Sequence, residues 1–201
     1  MKKVSLTIFL LLLILSAANS ANAISFGGSF GDHEYVVVFS NGISWSDAAA
    51  ELQATRGDNW HLATITSEDE DNFIASLISS IGSTDNRDEY WVGGYQDTSV
   101  AGEKWDWVND EGTFWNNHAT SLYSNFWDGE PNDAQGTENF LVMDYRSGSS
   151  GWGWNDEGSA ICLIRGYVAE SAPVPEPATM LLLGTGLVGL AGFGRKRFSQ
   201  R

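Results

Sequence analysis

The sequence predicts a single α+β domain, and three observations carry that prediction. Two helical patterns fall early, between residues 45 and 81. Runs of β-branched and aromatic residues mark strands at 35–39, 90–94, 139–145 and 160–168. Residues 101–138 are rich in Trp, Asn, Asp and Gly with little periodicity, and an irregular stretch that long in a compact domain usually carries function. No internal repeat interrupts this order.

The two ends of the 201-residue chain read as processing signals and stand outside the fold argument. Lys2 and Lys3 precede an apolar run from Leu6 to Leu15, and Ala21-Asn22-Ala23 follows with small residues flanking a cleavage point. This predicts a signal peptide over 1–23; a buried N-terminal helix is the alternative. At the other end Val174-Pro175-Glu176-Pro177 leads into an apolar run from Ala178 to Phe193, then Arg195-Lys196-Arg197. That run is slightly short for a bilayer-spanning helix, which takes about 20 apolar residues. Its basic end would stay cytoplasmic and leave the preceding domain outside. Residues 24–172 then form one domain, large enough for a single core.

Within that domain 25 Asp and Glu face 5 Lys and Arg, a formal charge of −20. Nucleic acid is a poor partner for such a surface, because duplex binding needs a basic face. The acidity suits solubility and cation binding. Cys162 is the only cysteine, so an exported domain that is free to use disulfides has none within the chain.

Taken in order, the glycine- and serine-rich stretch 25–31 reads as a flexible lead. It fits a nucleophile-elbow pattern by letter, but no strand precedes it. The first strand follows at 35–39. Ser44 to Asp47 offer N-caps for a helix carrying Ala48, Ala49, Leu52 and Ala54, stopped by Gly57. A second helix opens on Ser67-x-x-Glu70, a capping-box pattern, with Phe73, Ile74, Leu77, Ile78 and Ile81 as its apolar face and Gly82 as its stop. The acidic run 68–71 reads as its solvated first turn, where the helix dipole favours negative charge. His33, His61 and His118 are dispersed and have no metal-ligand spacing. Gly184-Thr185-Gly186-Leu187-Val188-Gly189 fits a dinucleotide fingerprint by letter but has no βαβ unit around it.

The chemistry centres on Phe126-Trp127-Asp128-Gly129-Glu130-Pro131-Asn132-Asp133. Glu130 and Asn132 flank a proline and place two oxygen donors close together. Hard cations such as calcium take six to eight oxygens of this kind. Turn chemistry alone is the alternative for any one of these residues.

The motifs Trp45-x-x-Ala48, His61-Leu62-Ala63-Thr64-Ile65 with Glu70, Tyr90-Trp91-Val92-Gly93-Gly94 and Trp105-x-Trp107 occur in order. Glu130-Pro131-Asn132, Glu138, Trp154-Asn155-Asp156 and Gly166-Tyr167-Val168-Ala169-Glu170 follow. Residues 33–170 therefore resemble a C-type lectin-like domain, and 173–201 resemble a PEP-CTERM sorting signal of Gram-negative bacteria. An ordinary membrane anchor with a chance Pro-Glu-Pro is the alternative for the tail.

The first resemblance implies two helices with antiparallel sheets and a long calcium-binding loop region. It implies Ca2+ held by Glu130, Asn132, Glu138, Asn155 and Asp156, with Asp156 giving its carboxylate and its main-chain oxygen and with a cis Glu130–Pro131 bond. It also implies sugar binding by Glu130, Asn132, Glu138 and Asn155. Glu-Pro-Asn resembles the mannose-type arrangement, which prefers equatorial 3- and 4-hydroxyls, so the partner is a mannose-type glycan or an exopolysaccharide, and no enzymatic activity is expected. The alternative is a surface or matrix protein that binds protein partners and keeps calcium for rigidity alone.

The second resemblance implies export across the inner membrane, transient membrane contact through the C-terminal segment and cutting by an exosortase-like peptidase. The product would be secreted or held at the cell surface or matrix. Where the lectin-like family places cysteines, this sequence has Leu52, Phe140 and Ala169. Residues 146–151 lengthen the gap from Glu138 to Asn155 and read as a flexible hairpin tip. Asp128 and Asp133 read as solvated turn residues or helpers of an auxiliary ion site.

Overall fold

A computed structural model of the chain describes residues 25–173 except 82–84, 86, 121, 150 and 159–162. The expected signal peptide, the C-terminal sorting segment from 174 onward and Cys162 lie outside the described residues. Among the described residues no helix is long and apolar enough to cross a membrane.

In chain order the elements are β1 (Ser25–Phe30), β2 (His33–Phe39), α1 (Trp45–Arg56), β3 (Trp60–Leu62), α2 (Glu68–Ser80) and β4 (Glu89–Gln96). Then come β5 (Lys104–Trp107), β6 (Thr113–Asn116), β7 (Ala119–Thr120), β8 (Phe140–Arg146), β9 (Gly151–Glu157) and β10 (Ile164–Ser171). The architecture is the α+β one expected, with two helices on one connected sheet. Its order is β1-β2-β10-β4-β5-β6-β7; β3 pairs with β10, and β8 pairs with both β4 and β9.

The pairing is antiparallel except between β10 and β4, which run parallel. The sheet is thus mainly antiparallel, as expected, with this one parallel pair. The last strand enters the slot between β2 and β4, and its antiparallel pairing with β2 leaves it parallel to its other neighbour.

Both helices start where their caps predict. The Ser44 hydroxyl accepts from the Asp47 N–H at 3.1 Å, and the Ser67 hydroxyl accepts from the Glu70 N–H at 3.3 Å. α1 stops at Gly57, whose φ of 83° suits a residue without Cβ. α2 ends at Ser80, and its predicted stop, Gly82, is among the residues not described.

Three expectations change. Residues 25–30 form a strand paired along its whole length with β2, so the lead is not flexible. Gly28 lets Phe73 of α2 lie against that strand, since a Cβ there would meet the ring at 3.0 Å. The stretch 101–138 contains three short strands: β5 alternates charged Lys104 and Asp106 with buried Trp105 and Trp107, but over only four residues, and β6 mixes polar and aromatic residues on each face. Glu70 and Asp71 are buried rather than solvated. The Glu70 carboxylate accepts from the Thr66 N–H at 2.8 Å, from the Thr66 hydroxyl at 3.0 Å and from the Tyr35 hydroxyl.

The apolar core has two parts. One receives α2 and holds Trp105, Trp107, Phe114 and Trp154; the other receives α1 and holds Trp91, Val142 and Tyr167. Leu52 and Ala169, standing where the resemblance places cysteines, are both buried in the second part, with Phe140 packed against it. Fully burying a leucine is worth about 1.5–3 kcal/mol, comparable to a typical disulfide at about 2–4 kcal/mol. Apolar packing thus offsets much of what the missing bridge would supply.

Candidate functional site

The loop carrying Glu130 is fixed at its start by Trp154 of β9. The Trp127 N–H donates to the Trp154 carbonyl at 3.0 Å, and the Trp154 N–H donates to the Asn125 carbonyl at 2.8 Å. Trp154 is fully buried, with the rings of Trp107, Phe114, Tyr123 and Phe126 edge-on to it. Its indole N–H donates to Asp71 Oδ1 at 2.8 Å. Asp71 also accepts from Asn125 at 2.7 Å. Burial raises the Asp71 pKa, and the bonds from Trp154, Asn125 and Tyr123 oppose that rise. The Trp127 indole lies against Gly153, where a Cβ would come within 2.6 Å of the ring. The aromatic residues around 126 and 154 therefore set where the following residues emerge.

Beyond Trp127 the chain turns sharply. The Glu130 N–H returns to the Trp127 carbonyl at 2.9 Å, across Gly129 at φ 91°. The Glu130–Pro131 bond is cis, as the family resemblance implied. Asp133 and Gln135 sit in the left-handed region at φ 45° and 63°. Asp133 is not merely a solvated turn residue: its Oδ1 accepts from the Glu138 N–H at 3.1 Å, and Glu138 in turn accepts from the Ala134 N–H at 2.8 Å. These two bonds close the loop on itself.

Loop and hairpin meet at Asp156. Its buried carboxylate accepts from the Asn132 N–H at 3.0 and 3.1 Å and from the Asp133 N–H at 2.6 Å. The Asn132 amide donates to Glu130 Oε2. Glu130, Asn132 and Asp156 are therefore linked directly, although they come from two segments of chain. Glu138 lies close enough to feel Asp156, Glu157 and Glu130: burial first, then those charges, push its carboxyl up to about 6. Burial likewise pushes Asp156 up to about 6; its backbone N–H donors hold it down and the Glu130 charge adds to the rise. Among the described residues no group of three His, Cys, Asp or Glu side chains converges as a metal site.

Asn155 joins the cluster through a residue that the sequence reading misplaced. Arg146, expected at a flexible hairpin tip, ends β8 opposite Gly151, so the turn spans only 147–150. Its guanidinium donates to Glu130 Oε1 at 2.9 Å, to Asn155 Oδ1 at 3.4 Å and, through Nε, to Asp144 Oδ2 at 2.7 Å. It also stands 5.4 Å from the centre of the Trp127 ring. The signal that could have found it is strand alternation, which puts Asp144 and Arg146 on one face of β8.

Several solved structures share this fold. CEL-I, a C-type lectin from Cucumaria echinata, superposes with a TM-score of 0.55 at 17% identity, covering 74% of this chain and 96% of that one. The cow CD23 C-type carbohydrate-recognition domain, determined in the presence of GlcNAc2Man3 oligosaccharide, gives 0.54 at 23%, covering 74% and 95%. The fold is thus that of the C-type lectins. The Lectin C-type domain model matches residues 42–162, and the chain belongs to that family. The PEP-CTERM protein-sorting motif matches residues 173–197. Human C-type lectin domain family 4 member D is 34% identical over 116 residues, 53% of this chain and 44% of that protein. The chain spans about half the length, or far less, of the curated relatives it matches.

Proposed function

We propose that this chain is an exported, calcium-dependent carbohydrate-binding protein with mannose-type preference. The observation that carries the reading is the Asp156 carboxylate held on the N–H groups of Asn132 and Asp133. It brings the Glu-Pro-Asn loop and the Asn155-Asp156 strand to one place, although 22 residues separate Asn132 from Asn155 in the chain.

The donor set fits calcium. Three carboxylates and two carboxamides offer hard oxygens for a hard cation. Burial raises the pKa of Glu138 and Asp156 and neighbouring carboxylates add to the rise, and a bound cation would favour their charged forms. Glu130, Asn132, Glu138, Asn155 and Asp156 would hold the ion. When bound, calcium supplies a positive centre to which two vicinal sugar hydroxyls can bind. The protein's part is to orient those hydroxyls: the carboxylates of Glu130 and Glu138 accept hydrogen bonds from them, and the amides of Asn132 and Asn155 donate. No group is asked to break a bond. The reading is binding rather than catalysis.

The layout proposed for the whole chain is a signal peptide over 1–23, the lectin domain over 24–172 and the sorting signal over 173–201. An exosortase-like peptidase would act at the last, after transient contact with the inner membrane, in a Gram-negative bacterium. A glycan of the cell's own exopolysaccharide is the natural partner, and multivalent display would offset weak monosaccharide affinity.

A second reading rests on Arg146. A guanidinium bonded to two of the residues assigned to the sugar favours a surface or matrix protein that binds protein partners, with calcium structural only. Calorimetry of the purified domain separates the two. Calcium should bind, and mannose should then bind where galactose does not. Heat from mannose that persists in chelator would overturn the calcium-dependent reading; calcium binding with no response to any sugar would favour the second.

A further inference from the structure

Arg146 stands between two of the five residues assigned to calcium, and its contacts are those of a counter-ion. It reaches Glu130 Oε1, Asn155 Oδ1 and Asp144 Oδ2, and its side chain is only 22% exposed. Each of its two contacts in the cluster takes an oxygen that an ion in the cluster would need. Two positive charges at one carboxylate repel, and in a partly buried setting that repulsion is far less screened than in water.

We propose that Arg146 is a built-in competitor of calcium: guanidinium and ion exclude one another at Glu130 and Asn155, so Arg146 must leave the cluster for calcium to enter. This rests on the calcium reading above. Arg146 then sets the calcium concentration at which the site fills. It also keeps the ion-free loop together, by tying Glu130 of the loop to Asp144 and Asn155 of the hairpin. Its exit route is short, because the residue ends β8 beside the exposed turn 147–149. Asp144 would not be left bare by that exit, since Arg87 lies 3.3 Å from the same Oδ2. The chain thus carries two states of one loop, each with a cation on Glu130.

The test is calcium titration by calorimetry on the wild-type domain, on Arg146→Met and on Arg146→Lys, with melting curves in chelator and in calcium. Arg146→Met removes the competitor and keeps the apolar stem. It should bind calcium at least about tenfold more tightly, and should melt lower than wild type in chelator. Arg146→Lys keeps the charge without the fork that reaches both oxygens, and should fall between the two. The gap between the chelator and calcium melting temperatures should therefore widen in the order wild type, Lys, Met.

Calcium binding by Arg146→Met that is equal to or weaker than wild type, in a domain that still melts cooperatively, would overturn the competitor role and leave the calcium reading standing. Absence of calcium binding in all three folded proteins would overturn both. If Arg146→Met does not fold, the Lys variant decides: tighter calcium binding than wild type supports the proposal, and unchanged or weaker binding overturns it.

Discussion

The domain holds two sets of buried and half-buried carboxylates, and they are neutralised in different ways. Glu70, Asp71 and Glu170 are met chiefly by groups with no formal charge: the Tyr35 hydroxyl, the Thr64 and Thr66 N–H and hydroxyl groups, the Trp154 indole and the Asn125 amide. His33 adds one contact to Glu170 at 2.5 Å. Those donors come from β2, β9, the segment between β3 and α2 and the segment leading to Trp127, so they cannot leave without unfolding. In the second set Asp156 and Glu138 are met by backbone N–H groups of the loop itself, whereas Glu130 and Asp144 rest on the Arg146 guanidinium. Among the described residues Asp144 Oδ1 has no hydrogen-bond partner, and Arg146 serves two members of the set. Fixed dipoles make a carboxylate part of the frame, whereas a side-chain cation leaves it exchangeable. The first set holds the fold; in the second, Glu130 and Asp144 are held by an exchangeable cation.

The largest test of that contrast is Trp154→Ala. It removes a fully buried indole from the middle of four rings and leaves Asp71 without its best donor. Losses of about 3–5 kcal/mol are ordinary for such a truncation, and the loss of one of the donors to the buried Asp71 carboxylate, which keeps Asn125 and Tyr123, adds to them. The urea midpoint should fall steeply or the domain should fail to fold. A loss under about 1 kcal/mol would break the idea that the first set holds the frame.

Tyr35→Phe is the next step down. Burial and the carboxylates of Glu70 and Glu170 push the phenol pKa up, so it stays a donor throughout the accessible pH range. Losing it leaves two buried carboxylates one donor short, at a cost of about 1–3 kcal/mol. Calorimetric melting should show the drop with no change in calcium binding.

A pH experiment then probes the border between the sets. Glu89 is fully buried opposite Asp144, and burial first, then the charges of Glu157 and Asp144, push its carboxyl up to about 8, with Arg87 opposing. Because the folded pKa lies above the unfolded one, the unfolded chain binds fewer protons between them. Stability therefore falls as pH rises through that window and is fullest below it. Glu138 and Asp156 titrate lower, so the window for Glu89 alone is roughly pH 6.5 to 8. Wild type should lose urea resistance across it and Glu89→Gln should not. An equal slope in both would remove Glu89 from the account.

Most of the frame was legible in the sequence because its signals are local. Ser44 and Ser67 mark helix starts by their own hydrogen bonds, and Gly57 marks a stop by its own φ. Motif order singles out five oxygen residues, and the Asp156 carboxylate links to Asn132 and, through it, Glu130. What escaped depends on neighbours far along the chain. Glu70 and Asp71 look like a solvated helix turn until Tyr35, Asn125 and Trp154 arrive to bury them. The strand 25–30 looks like a lead until β2 and Phe73 supply its partners. Arg146 looked like part of a loop tip because its meaning lies in Glu130 and Asn155, on other segments. Side-chain pairing across such separations leaves little trace in local composition.

The smallest stability effect, and the sharpest contrast with Trp154, belongs to Glu130→Gln. The substituted amide would still accept a hydrogen bond from Arg146 and would lose only the one that Oε2 takes from Asn132. Because Arg146 keeps a hydrogen bond to that side chain and its bond to Asp144, the change in chelator should be no more than about 1 kcal/mol. On the proposed calcium reading the ion, by contrast, loses a negative charge from its shell. An ion that binds only the folded state stabilises by RT ln(1 + [L]/Kd), so calcium at about 100 times Kd gives about 2.7 kcal/mol. Melting curves with and without calcium should therefore separate in wild type and coincide in Glu130→Gln. A variant that melts much lower in chelator would place Glu130 among the carboxylates that hold the frame. A variant that keeps the full calcium shift would place the ion elsewhere.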